Sequence, residues 1–402
     1  MKSDKTTPNV PTLRFKEFND SWYNESLGNI CFLSSGSTPS RAKGNNFAGD
    51  ICWLTSGELK SKWIYNTEEK ITKKSQYEYN LTLFPENTLV IAIYGLEAAG
   101  IRGTCGILKK PATISQACMA IQPKDNEISS EFLYSWYKKH GNLIGLKYAQ
   151  GTKQQNLCFD IVKELKVHYP SVVEQHKISA FIDKIDERIE IQNKIIEDLK
   201  ILKKELCNDH FKSVLHDASL RYITLKEILT ERKEYCSKDG TYTHGTLSKE
   251  GVAPKTERYD RDFLVKKEDK QYKVTHLNDI CYNPANLKFG VICRNTYGDL
   301  IFSPIYVTFE ISDNVHPAYI ELFLTNQNFI GRIRRYEQGT VYERMAVSPE
   351  DFLSYETHMP TYEEQVKFAN EMQCIQRKIE LETAFLSSLQ NQRRSFLNAM
   401  FI

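Results

Sequence analysis

Two long helical patterns repeat each other along the chain, and this duplication restricts the architecture more than any other feature of the sequence. In the first pattern, residues 174–211, apolar side chains recur mostly at alternating steps of four and three, with Gln192 as a polar interruption. Such spacing is typical of the buried edge of a coiled-coil helix. Residues 172–211 contain no Gly or Pro, so nothing should interrupt the helix. The residues predicted to pair with a second helix are Ile178, Ile182, Ile185, Ile189, Ile196, Leu199 and Leu206.

The second pattern lies near the end of the chain and has the same spacing, with Glu382 at the position that Gln192 holds in the first. Its predicted pairing residues are Met372, Ile375, Ile379, Leu386, Leu389 and Phe396. The segments before the two helices also match. Glu174-Gln175 and Glu364-Gln365 follow a Pro at the same distance, and Tyr-Ala-Gln-Gly-Thr at 148–152 corresponds to Tyr-Glu-Gln-Gly-Thr at 336–340. The chain is therefore a tandem duplication of a globular part followed by a long helix.

We expect an α+β fold in which two mixed α/β domains each precede a long helix, the two helices pairing as an antiparallel coiled coil. The predicted boundaries are residues 1–170 for the first globular domain, 171–214 for the central helix, 215–360 for the second globular domain and 361–402 for the C-terminal helix. Each globular part has about 150 residues, which is enough for a hydrophobic core of its own.

Local patterns predict the elements within each globular part. We expect strands at 51–54, 88–94, 279–283 and 301–310, and helices at 131–139 and 317–324. Glycines beside polar residues predict loops at 242–246 and 250–251.

Composition narrows the class of protein. The net charge of +2 provides no global signal for nucleic acid, although a basic surface can still be local. The ten cysteines include no CxxC pair and favour reduced thiols in a cytoplasmic protein without a metal site. Residues 1–11 are polar, which argues against a signal peptide, and the apolar run at 89–94 is far shorter than a membrane span.

Cations and side-chain amides surround the two Gly-Thr loops of the repeat. Cations pair with phosphates, and Arg, Gln and Asn pair bidentately with base edges, so these loops are candidates for DNA contact. A solvated loop at a domain edge is the alternative interpretation. The candidate DNA-binding residues of the first globular part are Ser37, Thr38, Arg41, Lys43, Tyr94, Arg102, Lys147, Gln150, Thr152, Lys153 and Gln154. Those of the second are Tyr242, His244, Lys288, Arg294, Arg334, Arg335, Gln338, Thr340, Tyr342 and Arg344.

Signals for catalysis are weak. Asn283-Pro284-Ala285-Asn286 is similar to the Asn-Pro-Pro-aromatic loop of amino-methyltransferases, but its third and fourth positions differ and no Gly-rich methyl-donor loop precedes it. A turn after a strand explains it better. The glycines at 95–106 are not followed by Gly-Lys-Ser/Thr, so they do not form a phosphate loop. No nucleophile, catalytic triad or carboxylate pair stands out.

Several segments together resemble the specificity subunit of type I restriction–modification systems. Gly151-Thr152-Lys153-Gln154-Gln155-Asn156-Leu157, the residues 174–178 and the residues 181–186 are similar to its central region. Residues 35–39 and 53–59 look like the entry to its first target-recognition domain. The resemblance covers essentially the whole chain. It is weaker in the second half, where Val341-Tyr342 replaces the glutamine-rich continuation.

The resemblance implies a subunit without catalytic activity or bound cofactor. Each globular part would be a target-recognition domain that reads one half of a bipartite, asymmetric double-stranded DNA site in the major groove. The helices would form a spacer and dock two methyltransferase subunits. These partners would carry S-adenosylmethionine and connect to restriction–translocase subunits that use ATP and Mg²⁺.

The length of the helices and the residues of the loops are compatible with three hypotheses about what the chain does. A helix of about 33 residues spans roughly 50 Å, or about 15 base pairs of duplex, which suits a DNA-binding subunit with two separated half-sites. A coiled-coil interaction protein without DNA binding would explain the helices but not the two loops. An enzyme acting on DNA is suggested only by Asn283-Pro284.

Overall fold

The computed structural model describes residues 10–42, 45–98, 100–151, 154–237, 241–249, 251–255, 271–338 and 345–402. The chain divides into two compact units. The first unit comprises Met1–Asn193 and Ala384–Ile402, and the second comprises Lys194–Thr383. Each unit therefore contains one globular part of the repeat and a portion of both long helices.

The described part of the first unit contains three sheets. The strands are β1 (Tyr23–Ser26), β2 (Cys31–Ser35), β3 (Ile51–Leu54), β4 (Trp63–Ile64), β5 (Glu69–Ile71), β6 (Leu89–Ala92), β7 (Cys105–Leu108), β8 (Thr113–Ile114), β9 (Cys118–Pro123) and β10 (Lys166–Tyr169). The sheet orders are β2-β9-β6-β7-β4, β5-β3-β8 and the pair β1-β10. The central strand β6 is buried at every residue, as expected of a strand with neighbours on both sides and a helix over one face.

The helices of the first unit cover this core. They are α1 (Leu27–Ile30), α2 (Lys73–Glu78), α3 (Ser130–Tyr148), α4 (Phe159–Glu164), the first portion of α5 (Val172–His216) and the last portion of α9 (Tyr362–Met400). Helix α3 packs on β6 and β7, and its N-cap Ser129 accepts a hydrogen bond from the Phe132 backbone N–H. The core also includes Leu397, Met400 and Phe401 from the end of the chain.

The second unit follows the same plan with different sheets. Its described strands are β11 (Arg221–Thr224), β12 (Leu229–Glu231), β13 (Tyr235–Cys236), β14 (Thr243–Ser248), β15 (Gly251–Pro254), β16 (Tyr272–Thr275), β17 (Ile280–Tyr282), β18 (Ile292–Arg294), β19 (Leu300–Phe302), β20 (Val307–Ile311) and β21 (Glu356–Met359). The sheet orders are β12-β20-β17-β18, β13-β16-β19-β14-β15 and the pair β11-β21. The helices are the last portion of α5, α6 (Pro317–Leu324), α7 (Gln327–Ile333), α8 (Pro349–Leu353) and the first portion of α9 (Tyr362–Met400).

The repeat is visible in the frame of both units. In each, an opening strand pairs antiparallel with the strand that precedes the long helix: β1 with β10, and β11 with β21. A buried glutamine at the start of the long helix, Gln175 or Gln365, then donates from Nε2 to the carbonyl oxygen of Pro170 or Pro360. Both glutamines lie within the Glu-Gln pairs by which the duplication is visible in the sequence.

Within each unit, the long helices bury one stripe of side chains. In the first unit, Phe181 packs edge-on against Phe396 at 4.9 Å between ring centroids, and Arg393 forms an ion pair with Asp186. In the second unit, His210 stacks on Phe368 at 3.7 Å. The predicted pairing residues that are buried or half-buried are Ile178, Ile182, Ile185, Ile189, Ile196, Leu199, Met372, Ile375, Ile379, Leu386, Leu389 and Phe396.

Leu206 does not belong to this stripe. Its side chain is 40% exposed, whereas that of Cys207 is only 8% exposed and takes the buried position.

Two further local predictions need correction. Residues 301–310 form two strands, β19 and β20, because Pro304 and the turn closed by Tyr306 N–H and Ser303 O interrupt them. Residues 243–246 of the first predicted loop belong instead to strand β14, and Gly251 of the second begins strand β15, which pairs with β14. Glu250 lies outside the described residues.

Within the residues that the structure describes, none of the helices combines the length and the apolar character that a membrane span requires.

Candidate nucleic-acid interface

Each unit closes the Gly-Thr region of its repeat with the same backbone bridge. Gln150 and Asn156 exchange two hydrogen bonds of 2.9 and 2.8 Å, and Gln338 and Ala346 exchange two of 2.9 and 3.0 Å. The equivalence in sequence is therefore an equivalence in backbone structure. The candidate residues Lys43, Thr152, Lys153, Thr340, Tyr342 and Arg344 lie outside the described residues.

The loop of the first unit, 150–156, lies beside the end of strand β6. The Leu157 N–H donates to the Ile93 carbonyl at 2.8 Å, and the Leu96 N–H donates to the Gln155 carbonyl at 3.0 Å. The Gln155 N–H in turn donates to Glu97 Oε2 at 2.8 Å. Hydrogen bonds from backbone N–H groups, first that of Gln155, lower the pKa of the Glu97 carboxyl.

In the second unit, Val347, which follows the loop of the second unit (338–346), lies beside the end of strand β17. The Val347 N–H donates to the Pro284 carbonyl at 3.3 Å, and the Tyr282 hydroxyl donates to the Val347 carbonyl at 3.1 Å. Asn283 is buried, and its Oδ1 accepts from the Ala285 N–H at 3.1 Å. The Asn-Pro segment therefore forms a turn that contacts Val347, as the sequence interpretation favoured.

Several candidate residues lie around these two loops. Arg102 donates from Nη2 to Gln155 Oε1 at 2.9 Å. Lys147 is exposed at the end of α3, with Nζ 5.0 Å from the Tyr148 ring centroid. In the second unit, Gln338 Nε2 donates to Asp351 Oδ2 at 2.8 Å, and Lys288 Nζ lies 5.5 Å from the Phe289 ring centroid. Five more candidates are exposed: Tyr94, Gln150, Gln154, Arg334 and Arg335.

Two candidate arginines are instead held by carboxylates. Arg41 forms a bidentate pair with Glu69 at 2.8 and 2.6 Å and lies 4.6 Å from the Phe47 ring centroid. This pairing raises the pKa of Arg41 and lowers that of Glu69. Arg294 donates to Glu321 at 2.9 Å and to Asn278 Oδ1 at 2.7 Å. Both guanidiniums therefore have internal partners that DNA would have to displace.

The other candidates lie in more buried surroundings. Ser37 and Thr38 are half-buried, and the Ser37 carbonyl accepts from Trp53 Nε1 at 3.1 Å. The rings of Tyr242 and His244 contact those of His276 and Tyr272, at 6.4 and 4.5 Å between centroids.

Two residues that join the loop of the first unit to the turn after β6, Gln155 and Glu97, are not among the candidates predicted from the sequence. Gln155 stands in the amide-rich run that marked this loop, so its residue type was visible in the sequence. Glu97 carries no such signal, because its role depends on the packing of a distant segment. In the described ranges, no group of three or more His, Cys, Asp or Glu side chains is arranged to hold a metal ion.

Residues 19–201 match the model of the type I restriction modification DNA specificity domain. The type I restriction enzyme MjaIX specificity subunit of Methanocaldococcus jannaschii is 32% identical over 194 residues, which cover 47% of this chain and 44% of that protein. The chain thus matches less than half the length of this relative.

Solved structures resemble the whole chain in fold. The S subunit of a type I restriction-modification system from M. genitalium superposes with a TM-score of 0.55 at 16% identity, over 98% of this chain and 99% of that one. A chain solved in work on complex assembly and conformational transition of the type I R-M system gives 0.60 at 12% identity, over 94% and 96%. At these identities the likeness is one of fold: two tandem mixed α/β parts with long helices.

Proposed function

We propose that the whole chain is the sequence-specific DNA-binding subunit of a type I restriction–modification complex, because residues 19–201 match the model of the type I restriction modification DNA specificity domain. Each unit reads one half of a bipartite, asymmetric site in the major groove of double-stranded DNA. The chain carries out no catalytic step itself and works in the cytoplasm. The observation that carries this proposal is the pair of equivalent bridged loops, Gln150–Asn156 and Gln338–Ala346, one in each unit.

Contact with DNA requires two kinds of chemistry, and both are present around the loops. Exposed cations such as Lys147, Arg334 and Arg335 suit phosphate oxygens, and binding through them releases counterions. Side-chain amides such as Gln150 and Gln154 suit base edges. Since the side chains around the two loops differ while their backbone bridges agree, the two half-sites should have different sequences.

The long helices provide a surface for protein partners. In the second unit, Ile195, Leu202 and Leu206 follow each other at steps of seven and four and are all exposed, so they form an apolar stripe apart from the buried one. An exposed stripe of this kind is typical of an interaction site. We assign it to docking of the methyltransferase subunits. These two partners bring S-adenosylmethionine, and the restriction subunits bring ATP and Mg²⁺.

A gel shift with random-sequence duplex DNA at low salt tests DNA binding by the full chain. Wild-type protein should retard the duplex, and retardation should weaken steeply with added salt. Arg334→Ala should cost about 1–3 kcal/mol of binding free energy at one base position if Arg334 reads a base. If Arg334 contacts only phosphate, affinity should fall evenly across sequences.

The matched control is Arg377→Ala, which removes an exposed arginine from helix α9 of the same unit. It should leave affinity and base preference unchanged. Absence of retardation by the wild-type chain, alone and with its methyltransferase subunit, would favour an interaction protein without DNA binding. Methyl transfer by the purified chain alone would instead favour an enzyme.

A further inference from the structure

Helix α3 contains two glycines on one face, Gly141 and Gly145, although glycine is disfavoured inside helices. A Cβ at Gly145 would lie 2.4 Å from Arg102 Cγ and 2.8 Å from its Cδ. A Cβ at Gly141 would lie 2.9 Å from the Gly103 Cα. The two glycines therefore give space to the turn between β6 and β7, and at Gly145 that space is filled by the side chain of Arg102.

The guanidinium of Arg102 is fixed at its far end by the loop of the first unit. Its Nη2 donates to Gln155 Oε1 at 2.9 Å. Gln155 is itself fixed, because its N–H donates to Glu97 Oε2 at 2.8 Å and its carbonyl accepts from the Leu96 N–H at 3.0 Å. Helix, turn and loop together therefore determine where this guanidinium lies.

Arg102 differs in its partners from the other two candidate arginines with described hydrogen bonds. Arg41 and Arg294 donate to the carboxylates of Glu69 and Glu321, whereas the described hydrogen-bond partner of Arg102 is the neutral amide of Gln155. The Arg102 Nε is buried and has no hydrogen-bond partner among the described residues. The nearby Glu97 carboxylate accepts the Gln155 N–H and interacts with Arg102 through its charge.

A guanidinium that is positioned by packing and keeps donors on its Nη atoms suits a planar pair of acceptors. In the major groove, the O6 and N7 of guanine present such a pair to arginine. A rigid guanidinium loses less freedom on binding than a mobile one, so its contact is tighter. Its fixed direction also suits only acceptors that lie opposite its donors, which favours one base over the others.

We propose that Arg102 reads a guanine in the half-site of the first unit, and that Gly145 and Gln155 are positioning residues that hold its guanidinium. The inference rests on the proposed DNA-binding function. It separates two roles: Arg102 contacts the base, whereas Gly145 acts only through Arg102.

A double-mutant cycle on the full chain tests this assignment. Wild type, Gly145→Ala, Arg102→Ala and the double variant each select bound duplexes from random-sequence DNA, which are then sequenced. Gly145→Ala and Arg102→Ala should reduce the preference for guanine at the same position, by about tenfold or more for Arg102→Ala. The double variant should be no worse than Arg102→Ala, because without Arg102 the glycine has nothing to position.

The matched control is Gly331→Ala in α7, where an added Cβ meets no atom within 4 Å. It should leave the guanine preference of the first unit unchanged. If Gly145→Ala does not fold, Gln155→Leu takes its place in the cycle, because it removes the acceptor of the Arg102 Nη2 donor without adding bulk under the side chain.

The outcomes are distinguishable. Gly145→Ala, or Gln155→Leu in its place, could lower the guanine preference equally in chains with and without Arg102. That result would show a general structural effect and overturn the positioning role. Unchanged guanine preference in Arg102→Ala, with DNA still bound, would overturn the base-reading role alone. A wild-type chain that retains no DNA at low salt would overturn the proposed function as well.

Discussion

Gln175 and Gln365 hold equivalent junctions in the two units, and replacing either with leucine should destabilise the unit that contains it. Gln175 donates from Nε2 to the carbonyls of Pro170 at 2.8 Å and Glu127 at 2.7 Å, and its Oε1 accepts from the Ser129 N–H at 2.8 Å. Gln365 donates to the Pro360 carbonyl at 2.9 Å and accepts from the His316 N–H at 2.9 Å.

The number of backbone groups left without partners determines the size of the effect. The side chains are 0% and 1% exposed, so water cannot replace the lost bonds unless the structure opens. Leucine is close to glutamine in volume but accepts and donates no hydrogen bond. Each buried polar group that loses its partner costs about 1–3 kcal/mol. Gln175→Leu orphans three such groups and should cost about 3–9 kcal/mol, whereas Gln365→Leu orphans two and should cost about 2–6 kcal/mol.

Tryptophan fluorescence during urea denaturation reports the unfolding of the first unit separately from that of the second. All four tryptophans, Trp22, Trp53, Trp63 and Trp136, lie in that unit. Gln175→Leu should lower the urea midpoint of this signal, and Gln365→Leu should affect it less while increasing hydrogen exchange in α6. Gln390→Leu, an exposed position on α9, is the control. The explanation by the number of orphaned groups would be refuted if Gln175→Leu lowered the free energy of unfolding by less than about 1 kcal/mol. It would also be refuted if Gln365→Leu were more destabilising than Gln175→Leu.

Four further predictions address stability, packing and specificity. Burial, assisted by the charge of Lys139, lowers the pKa of His140 from 6.5 to about 4. Because the unfolded chain then binds the proton more readily, stability should fall as pH drops from 6.5 towards 4, and His140→Gln should flatten this dependence of the fluorescence midpoint. In the second unit, Cys207→Lys should lower thermal stability by several degrees, whereas Leu206→Lys should change it little, as followed by circular dichroism. Replacing residues 21–146 with the equivalent part of a relative should change one half-site only, whereas a change in both would contradict independent reading. Inserting four residues after Lys194 adds about 6 Å of helix and should lengthen the gap between methylated half-sites, and an unchanged gap would show that the helices do not set it.

The long helices could be predicted from the sequence because their signal is local and repeated. The helix expected at 174–211 is observed as Val172–His216, and the pattern around residues 372–396 lies within Tyr362–Met400. The strand expected at 51–54 and the helix at 317–324 are observed with those bounds. Apolar spacing and a proline at the first helical turn are properties of a few neighbouring residues, so a single sequence carries them.

Elements whose stability comes from distant partners were harder to predict. Residues 242–246 and 250–251 read as loops because each segment contains a glycine beside polar residues. In the structure, Thr243–Ser248 form β14 and Gly251–Pro254 form β15, and β14 pairs in parallel with β19, more than fifty residues later in the chain. Pairing with a neighbouring strand outweighs weak β-propensity, and nothing in the local sequence identifies that neighbour.

The same limit applies to the candidate DNA-contacting residues. Arg41 and Arg102 both lie in loops rich in Gly and polar residues, and a sequence treats their charges alike. The structure separates them through partners far along the chain: Glu69, 28 residues from Arg41, and Gln155, 53 residues from Arg102. The pairing of a cation with a carboxylate depends on the tertiary structure. The sequence could therefore predict the loop region, but it could not predict which cation in that region has a carboxylate partner.

The position of Leu206 shows how a correct periodicity can still misplace a residue. The coiled-coil repeat advances 3.5 residues per turn, whereas an undistorted α-helix advances 3.6. Each residue of an α-helix turns the side chain by about 100° around the helix axis. Relative to the buried Ile196, the side chain of Leu206 is therefore rotated by roughly 80° and that of Cys207 by roughly 20°. Burial follows the undistorted helix, because Cys207, Phe211 and Val214 are buried while Leu206 is exposed. In the second unit, helix α5 therefore packs through a stripe that departs from the heptad, and this departure turns Leu206 towards the exposed face that we assign to partner docking.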